Sequence, residues 1–446
     1  MSNHSDGETL DDVSFLIITA NVGTLFEDLS GLEDAWIQEF IKLIESRSPH
    51  FIALHFQEVG GKDYKSSMSH VDAFIEKILA LHVLEDFDTV RGYLDEDFDS
   101  VEQYTALGNF YFVHKSLDGT SIWNYDKKEF SPAHGIEVYD KDLEKRWDFI
   151  KEKFEQGYFP DCKWSRKGYS RVRWKIKNKV FEFVNIHLFH DDNNLVAIQS
   201  SPSSYSRSRK RALKFVLQRV QSDPPPNGNY FIFGDFNFRL DIKALVQKLC
   251  ASSKQQVIRS QDNDDILRLL YRAPVSGDDD SDAKNDHLLL MIEKKVFQYD
   301  QKLLHKNGNY EHLRRFNGES EDLLTDLKEF SFNFAPTYPY SEKLSEGNEY
   351  MKTRCPAWCD RVFLSPHAWN WVNNEGTNIN YDTIGKQVCM GDHKPIFLAF
   401  NLNKEAFAKD EDFNGTTPAL IEESSQKINS DSIHNNNNCS KTTSTD

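Results

Sequence analysis

The sequence predicts an α/β protein, and three observations carry that reading. Short apolar runs of strand length alternate along the chain with segments of helical periodicity. Polar residues capable of chemistry stand at the ends of those runs, where layered α/β proteins assemble their sites. The chain of 446 residues is 39% hydrophobic and 13% aromatic, which suffices for a sizeable core. Length alone suggests about two or three domains, but sheet-based enzymes of this size also fold as one unit with insertions.

Taken in order, Phe15 to Ala20 reads as a strand that ends at Asn21, and Ile37, Phe40, Ile41 and Ile44 follow helical spacing. Phe51 to Phe56 is a second strand, closing on Gln57-Glu58. Val71, Phe74, Ile75, Ile78 and Leu79 form another helical stripe, expected to be core, and Phe110 to Val113 is a third strand. Val180 to Ile186 contains Asn185 and leads into His187. Arg207, Arg209, Lys210 and Arg211 precede the stripe Leu213, Val216, Leu217 and read as a solvated helix start, with a localisation signal as the alternative. Phe231 to Phe233 is a strand just before Gly234-Asp235-Phe236-Asn237-Phe238-Arg239-Leu240. Cys355 to Arg361 precedes Val362-Phe363-Leu364, and Gly391-Asp392-His393 precedes a last strand, Pro395 to Phe400. Gly277 to Asp282 is acidic but lacks EF-hand spacing, so a surface loop is expected there. Residues 1–12 and 403–446 are polar and expected to be disordered, leaving 13–402 as one domain.

A net charge of −17 argues against a nucleic-acid binder, whose affinity rests on Lys and Arg neutralising phosphates. Eight basic residues and no acidic one lie between Lys163 and Lys179, so the remainder carries −25. A local cationic patch on an acidic protein suits a small, highly anionic ligand. Within that run Arg171, Arg173, Lys175, Lys177 and Lys179 alternate at period two, which is expected to turn one charged strand face to solvent. No apolar leader or membrane-length run is present, and six irregularly spaced cysteines read as reduced thiols, so a cytoplasmic location is expected.

The chemistry concentrates at the strand ends. Asp235 and Asn237, at i and i+2, are expected on one side of a strand end, the carboxylate toward a water or metal and the amide toward a phosphate oxygen. A turn capping the strand is the alternative reading of that heptapeptide. Glu58, Asp360 and Asp392 add carboxylates, His187 and His393 imidazoles, and Asn21 and Asn185 amides. Hard oxygen ligands without a Cys/His cluster select magnesium, with manganese as the alternative, over zinc.

GDFNFRL, PAWCDRV and the closing GDHKP resemble the signature motifs of the inositol polyphosphate 5-phosphatases. That family shares its fold with pancreatic-DNase-like nucleases, exonuclease III and neutral sphingomyelinases. TANVGTLF, ALHFQEVGGK, SMSHVD, FPDCKWSRKG, VNIHLFHD and CMGDHKPIFLAF are similar to its type I branch, and the likeness runs from about Phe15 to Phe400. The resemblance implies a four-layer α/β sandwich, two packed sheets flanked by helices, with the site where their loops converge. It implies that Glu58 holds magnesium with Asn21 beside it and Asp392 in support, and that Asp235 orients or deprotonates the attacking water. His393, held by Asp360, would contact the scissile phosphate, and His187, Asn237 and Asn185 would complete the phosphate cradle. Lys163, Arg166, Lys167, Lys352 and Arg354 are the candidates for gripping the other phosphates.

The expected activity is magnesium-dependent removal of the 5-phosphate from soluble inositol 1,4,5-trisphosphate and 1,3,4,5-tetrakisphosphate. A lipid 5-phosphatase of the same fold and a non-catalytic inositol-phosphate scaffold are the alternatives. The expected partners are soluble inositol polyphosphates and no nucleic acid, and a monomer is expected. Members of the type I branch often end in a prenylated CaaX box, whereas here Cys439 stands eighth from the end, so a peripheral place at the plasma membrane is left open.

Overall fold

Alternation along β1 (Asp12–Asn21) decides the layering. Phe15 and Ile17 point to one side and join a cluster between two sheets, while Leu16, Ile18 and Ala20 point to the other and meet helices. The computed structural model describes residues 12–27, 31–160, 162, 166–273, 287–300, 310–321 and 325–408. Lys163, the acidic Gly277 to Asp282 segment and residues 409–446 lie outside the described residues.

The first sheet runs in the order β17 (Gly376–Thr383), β18 (Ile396–Asn403), β1, β2 (Phe51–Gln57), β4 (Gly108–Val113), β3 (Thr89–Leu94) and β7 (Gly135–Tyr139). Two helices, α1 (Leu32–Arg47) and α2 (Val71–Leu79), cover its outer face. The expected stripe residues Ile37, Phe40 and Ile44 of α1 and Phe74, Ile75 and Ile78 of α2 are buried against Ile52, Leu54 and Phe56. Each such apolar side chain withdrawn from water contributes roughly 1.5–3 kcal/mol before entropy is counted.

The second sheet runs β16 (Asp360–Leu364), β11 (Tyr230–Asp235), β10 (Lys179–His187), β9 (Gly168–Ile176), β5 (Ser121–Asn124) and β6 (Glu129–Pro132), with β8 (Ile150–Lys153) also pairing β9. Helix α3 (Ser204–Ser222) lays Ala212, Leu213, Val216, Leu217 and Val220 on its outer face. Between the sheets aromatic rings interdigitate: Phe15 stacks on Phe400 at 5.1 Å and Phe51 on Phe183 at 5.4 Å between centroids. Helix, sheet, sheet and helix therefore make the four layers the sequence led us to expect. Helix α4 (Ile242–Leu249) and an antiparallel meander of β12 (Lys254–Arg259), β13 (Ile266–Ala273), β14 (His287–Glu293) and β15 (Val296–Tyr299) are added to this frame.

Three expectations need correction. Arg171 and Arg173 of β9 do not face solvent. Both are buried, because Glu182 of β10 stands 3.1 Å from Arg171 and 3.0 Å from Arg173, and Asp223 at the end of α3 pairs with both. Period two was the right geometry, but a buried carboxylate on the next strand converts that face into an ion-pair ladder. Arg209 departs in the same way from a solvated helix start: it is fully buried between Asp191 and Glu319. The domain also extends past residue 402, since α5 (Pro366–Glu375) and β18 are followed by α6 (Lys404–Ala408), whose Ala406 and Phe407 are buried.

Strand direction gathers the site. β1 and β2 are parallel with Asn21 opposite Gln57, and β10 and β11 are parallel with His187 opposite Asp235. β16 runs antiparallel to β11 with Asp360 opposite Asp235, and β18 enters antiparallel to β1 just after His393.

Candidate active site

Asp235 closes β11, and Gly234 before it is required by packing: a Cβ there would lie 2.0 Å from the Ile186 carbonyl oxygen. The next residues turn sharply, with Asn237 at φ 52°, a left-handed conformation that Asn tolerates better than most residues. The turn folds the Asn237 amide back, so that Nδ2 donates to Asp235 Oδ2 at 2.9 Å and to the Leu188 carbonyl at 3.0 Å. Its Oδ1 accepts from Arg239 Nη2 at 2.6 Å. Asp235 and Asn237 thus come together by a turn and not by strand alternation, and the Asn237 amide is spent on orienting Asp235 and Arg239 and not on a phosphate oxygen.

Asp235 is the most heavily supported group in the site. Its Oδ1 accepts the Asn237 backbone N–H at 2.8 Å, Oδ2 also accepts from Asn21 Nδ2 at 3.2 Å, and His187 Nε2 lies 3.2 Å from Oδ2. Burial alone would raise its pKa, but His393, His187 and Lys167 outweigh that and hold the carboxyl well below its usual range.

Glu58 follows β2 in a left-handed conformation, φ 59°, uncommon for a residue with a side chain and a form of backbone strain that gathers at functional sites. Its carboxylate lies 3.3 Å from Arg166 Nη2, 3.9 Å from Lys167 Nζ and 3.6 Å from His187 Nε2. Burial opposes its ionisation, yet the Arg166 guanidinium and then the Lys167 ammonium bring it down to about 2. Gly23 leaves the space beside it open, for a Cβ there would come within 2.6 Å of Glu58 Oε2 and 3.2 Å of Asn21 Oδ1. The Glu58 carboxylate and the Asn21 amide oxygen are hard donors brought side by side, a pair that fits a hard divalent cation once it displaces the Arg166 and Lys167 contacts.

Beside Asp235, His393 Nδ1 meets Asp360 Oδ2 at 2.9 Å. Burial works against protonating the imidazole, but the carboxylates of Asp360 and Asp235 outweigh it and push His393 up to about 9. With Nδ1 engaged, Nε2 is the nitrogen available to a ligand.

These groups open on a cleft of about 180 Å³ lined by Asn21, Glu58, Lys62, Lys167, His190, Asp191, Asp235, Asn237, Arg239, Tyr338, Arg354, Asp392 and His393. Lys167 and Arg354, expected to grip substrate phosphates, are in it. Arg166 is tied instead to Glu58 and the Gly61 carbonyl, and Lys352 is exposed and does not line the cleft. His187 and Asp360 sit one layer behind, each touching a lining carboxylate or imidazole. Lys167 Nζ contacts the same His187 Nε2, and burial followed by that ammonium lowers the imidazole's pKa. Burial likewise brings Lys167 down to about 8.

Two expected site residues do other work. Asn185 donates Nδ2 to the carbonyls of Phe56 and Gly108, both at 3.0 Å, and accepts from Gln57 Nε2 at 2.8 Å. It pins the second sheet to the first beneath the site, out of reach of a phosphate. Asp392 accepts from Thr24 Oγ1 at 2.9 Å and lies 3.4 Å from Lys62 Nζ, an ammonium also held by Glu342. It therefore joins loops at the rim.

Sequence reasoning missed Lys62, His190, Asp191, Tyr338 and Arg239. Arg239 matters most: it is buried beneath the Tyr338 ring at 4.4 Å, its Nη2 is taken by Asn237, and its Nη1 has no partner among the described residues. The signal was present, because Arg239 is the sixth letter of GDFNFRL.

The Endonuclease/Exonuclease/phosphatase family 2 profile matches residues 19–399. Inositol polyphosphate-5-phosphatase A of Homo sapiens is 45% identical over 390 residues, spanning 87% of this chain and 93% of the relative. The chain belongs to the inositol polyphosphate 5-phosphatases. A second relative in that family, a probable type I inositol 1,4,5-trisphosphate 5-phosphatase of Caenorhabditis elegans, is 37% identical over 87% of this chain and 100% of its own length. Among solved structures, the inositol polyphosphate 5-phosphatase domain of SPsynaptojanin in complex with inositol (1,4)-bisphosphate and calcium aligns over 89% of each chain at 13% identity and TM-score 0.46.

Proposed function

We propose that this protein is a magnesium-dependent phosphatase that removes the 5-phosphate of soluble inositol 1,4,5-trisphosphate and 1,3,4,5-tetrakisphosphate, and so ends a calcium-release signal. The observation that carries the reading is the convergence on one cleft of His393, raised by Asp360, with the ionised carboxylates of Asp235 and Glu58, the ligand atoms of His393, Asp360 and Asp235 lying within 4.8 Å of one another.

Glu58, with Asn21 beside it, would hold a magnesium ion whose charge counters that of the phosphate dianion. Asp235, kept ionised and fixed by Asn21 and Asn237, orients the attacking water in line with the leaving alkoxide. So low a carboxyl is a weak proton acceptor, which favours orientation over abstraction. His393 presents an N–H from Nε2 to an equatorial oxygen, and its benefit grows as charge develops toward the transition state. Lys167, Arg239 and Arg354 meet the remaining phosphate charge.

Phosphate release from both soluble substrates and from the 4,5-bisphosphate lipid, with and without magnesium, tests the proposal. Magnesium-dependent release from the soluble pair in preference to lipid is expected. Turnover confined to the lipid, or binding without turnover, overturns it.

A further inference from the structure

The basic cluster that the active site leaves unused lies on α3. That helix carries Arg207, Arg209, Lys210, Arg211, Lys214 and Arg219 and no acidic residue. Arg209 is buried between Asp191 and Glu319, and Arg219 pairs with Glu152 at 3.1 Å. Arg207, Arg211 and Lys214, at i, i+4 and i+7, share one exposed face and have no carboxylate partner among the described residues. A row of exposed cations on a chain of −17 is a local positive stripe that attracts an external anionic surface.

An aromatic side chain stands beside it. Tyr158 is 42% exposed, and the Arg211 guanidinium lies 3.8 Å over its ring, while half-buried Phe215 packs 5.8 Å from it. A cation over the face of an amphipathic ring is a pairing that settles at a lipid headgroup layer, the ring at the interface and the guanidinium on phosphate. Glu155, in the loop that carries Tyr158, is exposed, so the attraction comes from the helix face and not from the loop.

We propose that the Arg207–Arg211–Lys214 face of α3, with Tyr158, docks on an anionic lipid bilayer surface. The buried half of the helix, with Arg209 locked to Asp191 at the cleft, couples that orientation to the catalytic end of the sandwich. No covalent anchor is needed for such contact, which is reversible and screened by salt.

Sedimentation of the full chain with vesicles tests this. Binding to phosphatidylserine-containing vesicles and not to phosphatidylcholine alone is expected, with loss on raising the salt. Arg207→Gln/Arg211→Gln/Lys214→Gln should weaken it about 100-fold, near fivefold per charge, with an unchanged thermal melt and unchanged phosphate release from the soluble trisphosphate. Tyr158→Ala should weaken it further. Equal binding to both vesicle types, unaltered binding by the triple variant, or tighter binding to a DNA duplex than to the anionic vesicles overturns the proposal.

Discussion

His393 Nδ1 stands 2.9 Å from Asp360 Oδ2, joining two motifs 33 residues apart across the end of the sandwich. Both side chains are buried, so the interaction is weakly screened and the imidazole is held charged up to about pH 9. A site for a phosphate dianion thus keeps a fixed cation where the substrate arrives, at the cost of desolvating it beforehand.

Asp360→Asn removes the carboxylate that raises His393. The imidazole should then be largely neutral at pH 7, and kcat should fall on the order of a hundredfold. The alkaline limb of the pH–rate profile, expected near 9 in the wild type, should move toward neutrality. An unshifted limb in the variant would mean that His393 is not the group being titrated.

The same pair predicts a slope in stability. His393 binds its proton more tightly folded, at about 9, than at its ordinary 6.5, so its contribution is complete below 6.5 and lost as pH rises through 9. The loss should be on the order of 3–4 kcal/mol, one pKa unit being about 1.4 kcal/mol. Urea melts of the wild type and of His393→Gln between those pH values check it, and the variant should be flatter.

Legibility in the sequence followed chemistry more closely than packing. The apolar runs at Phe51 and Phe231 announced strands, and Glu58, Asp235 and His393 stood at ends that strand direction brings together. What could not be read was which polar group serves another protein group. Arg173 reads as a solvent-facing charge until Glu182 appears 3.0 Å away on the next strand, and Asn185 reads as a phosphate ligand until its amide is found holding two carbonyls. Asn237 reads as an amide turned by the pleat toward a phosphate oxygen, whereas its left-handed turn sets that amide on Asp235. Pairings made across the fold leave no mark in the local sequence.

Asn185→Ala separates scaffold from catalysis. The change removes the Asn185 bonds to the Phe56 and Gly108 carbonyls and from Gln57 between the sheets, each lost bond costing roughly 1–3 kcal/mol. A drop of several kcal/mol in unfolding free energy is expected, with kcat per folded molecule within about threefold of wild type. A kcat collapse at normal stability would return Asn185 to the phosphate cradle.

Arg239 is the sharpest test of how substrate is held. Its Nη1 is buried, charged and without a partner among the described residues, a cost of about 1–3 kcal/mol that a phosphate oxygen in the cleft would remove. Arg239→Met should raise KM for inositol 1,4,5-trisphosphate on the order of 10–100-fold, the worth of a charged hydrogen bond. Because Nη2 also holds Asn237 Oδ1, kcat will fall as well, and activity alone does not separate the two roles. Binding of inositol 1,4-bisphosphate, which lacks the scissile phosphate, does. If Arg239 grips a retained phosphate, titration calorimetry should show the variant losing affinity for this product by a similar factor, and Arg239→Lys should recover part of it through charge but not the fork geometry. Unchanged product affinity with a lowered kcat would instead make Arg239 a positioning residue that acts only through Asn237.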